Sequence, residues 1–328
     1  MSLEDSCNAL YNARILSENT AGYSGDRLFL TETTTGMHYL RLSKYTPARL
    51  SKTFFETRWV RYLADRMSGI VEYVPSVHGN YFEIAEIDGE NYILTMQKKA
   101  AGTTIDPSGI NELDSDLLCE LGKLMGQMHR LTSTYDGNVP CDLFKWNGPH
   151  FWRKDIEISS NDVKLAEQEL VAELEALPIS PESYGIVHFD IHTNNFLVEN
   201  GKITLIDFDT CQFNWYAADI ASALFFMVQK VTSPAKIMSE EIRTSFAEWC
   251  LTAFLKGYLQ EYTLSEYWLS KIELFMRYQM IDEFVAAGMF LADESSDKIN
   301  AYSDWYKDRI VSKKPYVYLD YSKLLNTP

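Results

Sequence analysis

Apolar and polar positions change rhythm about a third of the way along the chain. In the first hundred residues the apolar positions fall in short β-type runs. Residues 27–31 and 37–42 flank a Thr-rich stretch ending in Gly36, the pattern of a hairpin. Residues 77–84 and 90–96 read as two further strands separated by Asp88-Gly89, a favoured two-residue turn. Between these pairs, residues 50–67 carry Phe55, Trp59, Tyr62 and Leu63 at three- and four-residue spacing, which predicts a helix.

After Lys98-Lys99-Ala100-Ala101-Gly102 the period becomes helical. Residues 114–131 place Leu117, Leu121, Leu124, Met125 and Met128 on one stripe. Residues 161–177 form a second helix, capped by Asn161 and stopped by Pro178. From Tyr216 the pattern stays helical almost to the end, with no internal repeat. The chain therefore reads as an α+β protein of two lobes. A small antiparallel sheet with one helix occupies residues 1–97, a hinge lies near 96–102, and a larger, mainly helical lobe covers 98–328.

One segment breaks the helical half. Tyr184 to Asp209 reads YGIVHFDIHTNNFLVENGKITLIDFD. A short strand at 185–187 leads into a polar loop, and residues 196–198 and 202–206 are β-type runs joined by Asn200-Gly201. With those two residues as the turn, antiparallel partners have numbers summing to 401. Asn195 then lies opposite Ile206, and Asp207 follows one residue on, at the mouth of the loop that holds Asp190. Three oxygen-bearing side chains meet at one end of a ribbon. A hard cation such as Mg²⁺ takes a carboxylate and an amide oxygen while keeping waters and substrate phosphates. Asp190 beside them is placed to orient a hydroxyl or accept its proton, the arrangement phosphoryl transfer requires.

Charge and composition narrow the field. Of 328 residues 46% are apolar and 13% aromatic, enough for a packed core and too apolar for a disordered chain. Acidic residues number 46 against 30 basic ones, a net charge of −16, which argues against a nucleic-acid partner, since that affinity comes from Lys and Arg on phosphates. The cysteines Cys7, Cys119, Cys141, Cys211 and Cys250 are scattered and odd in number, which fits a reducing cytoplasm better than a disulfide framework. No signal-peptide pattern opens the chain, and the most apolar stretch, 216–228, is cut by Asp219 and too short to span a bilayer. No membrane partner is expected.

The motif His188-x-Asp190-x-x-x-x-Asn195 followed by Ile206-Asp207-Phe208 resembles the catalytic and metal-binding loops of protein-kinase-like folds. The fuller pattern, VHFDIHTNNFLV then LIDFDTCQFNWYAADIA, is similar to the aminoglycoside phosphotransferase and choline kinase superfamily, and within it to bacterial homoserine-kinase-like and stress-kinase-like small-molecule kinases. The resemblance implies a bilobal kinase fold using ATP and Mg²⁺, with Asp190 catalytic, Asn195 and Asp207 as metal ligands, and His188, Asp209 and Asp219 as structural support. It further implies a nucleotide-covering loop at 20–25 with Gly22, Ser24 and Gly25, a phosphate-contacting Arg41 paired with Glu56, and a hinge with Met96 and Lys98 around the adenine. Phe189 stands where the family commonly has glycine, Arg41 replaces lysine, and there is no G-x-G-x-x-G sequence.

Other readings of the same residues stay open. Thr53-x-x-Glu56 matches a helix capping box. His188, Asp190 and His192 lie on one face of an extended segment, as a zinc hydrolase site would need. A protein kinase acting on serine or threonine, or a non-catalytic nucleotide-binding protein, would share the fold. For a small-molecule hydroxyl acceptor, Asp282 and Glu283 form a candidate acidic wall suited to an amine, with Trp146, Trp152 and Trp215 as flat apolar surfaces. Oligomeric state is not legible.

Overall fold

The computed structural model describes residues 1–19, 25–105, 113–137, 141–149, 156–232, 239–292 and 294–321. In chain order the elements begin with α1 (Leu3–Tyr11), β1 (Arg14–Asn19), β2 (Arg27–Thr33), β3 (Gly36–Lys44), α2 (Pro47–Ala64), β4 (Tyr73–Val74), β5 (Glu83–Ile87) and β6 (Glu90–Lys98). The second part holds α3 (Ser115–Thr132), α4 (Cys141–Phe144), α5 (Asn161–Glu175), β7 (Tyr184–Val187), β8 (Phe196–Glu199), β9 (Lys202–Leu205) and β10 (Gln212–Trp215). It closes with α6 (Tyr216–Thr232), α7 (Glu240–Glu261), α8 (Glu266–Leu269), α9 (Ile272–Phe290) and α10 (Ser296–Val311). Among the described residues no helix is long and apolar enough to cross a membrane.

The first six strands form one antiparallel sheet in the order β1-β2-β3-β6-β4, with β5 also on β6. Alternation along each strand divides its side chains between two faces. Phe29, Leu40, Leu42, Leu94 and Met96 share one small core with Cys7 and Tyr11 of α1. Leu28, Tyr39, Arg41 and Gln97, on the other face, line a cleft. Helix α1 was not among the expected elements. Its N-cap is Ser2, which accepts from the Asp5 N–H, and Tyr11 ties it to the sheet by donating to the Leu94 carbonyl at 3.1 Å. The strand expected over 77–84 is displaced: turns fill most of that stretch, and β5 starts at Glu83.

Helix α2 starts at Pro47, with Thr46 as its N-cap accepting from the Arg49 N–H. Its apolar face turns to the large lobe. Phe55 stacks on Phe144 at 4.3 Å between ring centroids, and the Trp59 indole donates to Thr132 of α3 at 3.0 Å. The longer helix of the sheet-rich part is thus built into the core of the helical part, while α1 stays with the sheet. Helix α3 begins as the pattern predicted, with Asp114 capping the Leu117 N–H at 2.7 Å. It packs along α7, and α6 packs against α9.

Candidate active site

The β8–β9 hairpin has the register expected from its turn: Phe196 pairs with Leu205 and Glu199 with Lys202. Asn200 and Gly201 both have positive φ, 52° and 73°, the type I′ geometry that an Asn-Gly pair favours. At the open end the Ile206 N–H donates to the Asn195 carbonyl at 3.0 Å. The Asn195 Nδ2 donates to both the Asp190 carbonyl and its carboxylate, each at 2.9 Å. Asp190, Asn195 and Asp207 all line the cleft, a space of about 1160 Å³ between the sheet and the helices.

The loop carrying Asp190 is held from behind. Phe189, where the related pattern favours glycine, sits in the left-handed region at φ 68°, which explains that preference. Both of its backbone polar groups are gripped. Its N–H donates to Asp219 at 2.7 Å, and its carbonyl accepts from the Ser222 hydroxyl at 2.9 Å. The other Asp219 oxygen meets His129 Nε2 at 3.0 Å, and His129 Nδ1 meets the Tyr258 hydroxyl at 2.8 Å. All of these groups are buried. His188 is buried too, and its Nε2 donates to the Ile206 carbonyl at 3.0 Å. That bond joins the loop to the segment just before Asp207. Burial lowers the His188 pKa, so the ring stays neutral.

The floor is electrostatically incomplete. Burial, with Asp207 as the main charged neighbour, pushes the Asp190 carboxyl up to about 8 against the opposing hydrogen bond from Asn195. Asp207 is raised for the same first reason, with Asp209 and Glu56 adding to it and Arg41 opposing. Solvent still reaches both carboxylates along the cleft, so they are desolvated without being covered. His192, 3.6 Å from Asp190, gives no countercharge, because burial takes its pKa down to about 4.

Opposite the floor stands a dense group of charges. Arg41 donates from one nitrogen to both oxygens of the fully buried Glu56, at 2.9 and 2.8 Å, and the Tyr73 hydroxyl donates to the same carboxylate. Glu56 lies well inside α2, so the capping-box reading of it falls away. Arg49 bridges Asp26 and Asp209, the latter at 2.5 Å. Lys52, Arg41 and Arg49 around Asp209 hold its carboxyl well below the usual range despite burial.

The donor set fits a hard divalent cation. Asn195 spends its N–H groups on Asp190, leaving its amide oxygen as a donor in the cleft that Asp207 also lines, and the excess of negative charge on the floor is what a cation would relieve. Zinc does not fit. His188 is committed to the backbone, and among the described residues no three histidine, cysteine or acidic side chains are grouped to hold a metal.

The sequence model of the phosphotransferase enzyme family matches residues 15–265, a span running from β1 into the helical lobe. The chain belongs to that family. Amicoumacin kinase of Bacillus subtilis is 33% identical to this phosphotransferase-family chain over 228 residues, covering 68% of this chain and 65% of that protein, slightly under two thirds of its length. A solved amicoumacin kinase in complex with AMP-PNP and Ca²⁺ superposes with a TM-score of 0.82 at 23% identity, covering 98% of this chain and 95% of the other. A microcompartment-associated aminopropanol kinase follows at 0.66 and 17%, covering 94% and 96%. At these identities the two structures establish the shared kinase-like bilobal α+β fold.

Not every anticipated residue of this phosphotransferase-family chain reaches the cleft. Met96 is fully buried in the core under the sheet, because strand alternation turns it away from the cleft, while Gln97 and Lys98 line it. The Lys98 amine is occupied by Glu72 at 2.5 Å. Gly25 is exposed beside the cleft-lining Asp26, and Gly22 and Ser24 lie outside the described residues. Trp146 and Trp215 are buried in an aromatic core with Tyr278 and Phe275, and they do not line the cleft. Trp152 lies outside the described residues. Asp282 and Glu283 do line it, on α9, and Glu283 accepts from the Tyr302 hydroxyl of α10. Sequence reading missed Asp26, Arg49, Lys52 and Tyr73. They come together only through the fold and carry no local signal, apart from Arg49 and Lys52 sharing a face of α2 at three-residue spacing.

Proposed function

We propose that the protein is an ATP- and Mg²⁺-dependent phosphotransferase that moves the γ-phosphoryl group of ATP to a hydroxyl of a small molecule in the cytoplasm. The observation carrying this reading is the convergence of Asp190, Asn195 and Asp207 on one cleft floor, opposite the Arg41–Glu56 pair. Asn195 and Asp207 would hold the metal, which when bound neutralises charge on the phosphates and on the floor. Arg41, kept rigid by Glu56 and Tyr73, would contact phosphate oxygens, and Gln97 and Lys98 flank the adenine side. Asp190 orients the acceptor hydroxyl and takes its proton during transfer. With that carboxylate placed by Asn195 and its loop clamped by Asp219, alignment of the hydroxyl is largely prepaid.

The acceptor end fits a small molecule. Helix α6 starts at Tyr216, immediately after β10, so the stretch after Asp207 has no room for the long activation segment of a protein kinase. Asp282 and Glu283 at that end favour an acceptor carrying an amine, in keeping with relatives whose names include an aminopropanol kinase.

Substituting Asp190→Asn and Asp207→Ala tests the reading. Both variants should lose ATP turnover in an acceptor-supplemented ADP-release assay while melting cooperatively. Turnover at the wild-type rate in either would overturn the assignment. A Mg²⁺-dependent ATP shift in wild-type melting without turnover on any acceptor would leave a nucleotide-binding protein instead.

A further inference from the structure

Most cations that line the cleft are engaged by acids of the chain. Arg41 is held by Glu56, Lys98 by Glu72, and Lys145 has Asp142 at 3.7 Å. Lys230, near the end of α6, acts on Glu283 and His192 at the acceptor end. Lys52 is the exception. It lines the cleft, yet among the described residues no hydrogen bond or ion pair engages its ammonium group. Arg49, Lys52 and Glu56 follow one another at spacings of three and four on α2, so they share one face. Arg49 reaches Asp26 and Asp209, and Glu56 holds Arg41. Lys52 stands between these engaged groups, half-buried, where its charge acts on Asp209 and Cys211, both just after Asp207 in the chain.

We infer that Lys52 binds the terminal phosphoryl group of the nucleotide, the group that is transferred. The inference deepens the phosphotransferase reading and rests on it. Asp209 has its own partner, because Arg49 pairs with it at 2.5 Å and Arg41 stands 3.9 Å away. An ammonium group drawn half out of water costs free energy that an anion must offset, and the chain brings none into contact with Lys52. A nucleotide with its adenine beside Gln97 and Lys98 and its metal on Asn195 and Asp207 carries its outermost phosphate to this end of the cleft. There a lysine acts as a point charge on a flexible stem, free to meet a phosphate oxygen. Arg41 cannot take that part alone, since one of its nitrogens is given to both Glu56 oxygens and the others face Asp26 and Asp209 at 4.0 and 3.9 Å.

Two nucleotides separate this contact from any other on the phosphate chain. AMP-PNP carries the third phosphate and resists transfer, whereas ADP lacks it; both are titrated calorimetrically with Mg²⁺ and without acceptor. In Lys52→Met, whose apolar chain keeps most of the lysine's length, the Kd for AMP-PNP should rise about tenfold or more, as expected for a lost hydrogen bond between charged groups. The Kd for ADP should stay within about twofold of wild type. Lys52→Arg keeps the charge and should hold AMP-PNP within about threefold of wild type. A lysine that merely balanced Asp209 would leave both affinities unchanged, or weaken both together through a displaced Arg49, and either result would overturn the inference. So would a Lys52→Arg variant as weak for AMP-PNP as Lys52→Met. Should the methionine variant fail to melt cooperatively, Lys52→Gln, with a neutral polar end, takes its place under the same criteria. Failure of the parent reading would look different: wild type would bind neither nucleotide in a Mg²⁺-dependent way.

Discussion

The two walls of the cleft differ in how far the protein completes them by itself. On the wall made by β3 and α2, charges meet countercharges within the chain: Arg41 with Glu56, and Arg49 with Asp26 and Asp209. On the floor, the Asp190 carboxylate has the Asn195 amide and the like charge of Asp207 for neighbours, and on α9 the Gln279 amide nitrogen has no partner among the described residues. A completed wall acts as scaffold, and removing a partner there costs folding energy. An incomplete floor acts as a receptor, and removing a group there costs function while leaving the fold intact or relieved. Every substitution around the cleft can be sorted by that rule.

The largest effect should come from the floor. Asp207→Asn keeps the shape and removes the charge, and ATP turnover should fall about a thousandfold, some 4 kcal/mol in the barrier. Its folded-state pKa is raised, so the carboxylate weakens the ligand-free fold at neutral pH, and the variant should be as stable as wild type or more so. A clearly destabilised variant would mean that the floor is scaffold too.

Glu56→Ala is the opposite case. It strands a mostly buried guanidinium that Asp26 and Asp209 approach only at about 4 Å, 4.0 and 3.9 Å. Breaking such a pair costs about 3 kcal/mol, measurable by urea unfolding. A loss under about 1 kcal/mol would show that Arg41 relaxes onto Asp209, which would erase the difference between the walls.

What could be read in advance divides along similar lines. The floor was legible because its parts are close in sequence and a two-residue turn fixes their register; Asn195, Asp207 and the turn itself follow from one dipeptide. The fold class was legible from the change of apolar period at the hinge. Other features depend on contacts that no local pattern encodes. Arg49 meets a carboxylate 160 residues away. Trp146 and Trp215 have the composition of a binding surface, yet the helical core has first claim on large apolar area. Met96 was assigned by proximity to the hinge, whereas strand alternation decides which way it points. Helix α1 announces itself only by Ser2 and the acids Glu4 and Asp5.

Glu283 gives an intermediate effect with a defined sign. Burial raises its carboxyl to about 7, with Tyr302 and Gln229 opposing. An acid whose folded pKa exceeds its ordinary value near 4.5 contributes stability below that value, and the contribution fades as pH rises through 7. Between pH 5 and 8 the wild type should therefore lose about 2 kcal/mol relative to Glu283→Gln, followed as the gap between their denaturation midpoints. A gap that is constant with pH, or that moves the other way, would place Glu283 among the completed pairs.

The smallest effect makes the sharpest comparison, because the molecule contains two turns of the same kind. Asp88-Gly89 joins β5 to β6 with φ values of 53° and 86°, and Asn200-Gly201 joins β8 to β9 with 52° and 73°. At neither glycine would an added Cβ meet an atom within 4 Å, so Gly89→Ala and Gly201→Ala impose only the left-handed backbone penalty, about 1 kcal/mol each. The stability loss should therefore match in the two variants. Function should not, if the register of β8–β9 sets the separation of Asn195 and Asp207. Gly201→Ala should then weaken the Mg²⁺ dependence of ATP turnover a few fold, while Gly89→Ala leaves it at the wild-type value. Equal Mg²⁺ titrations for the two variants would show that the metal site is held by the loop braced through Asp219 rather than by the hairpin.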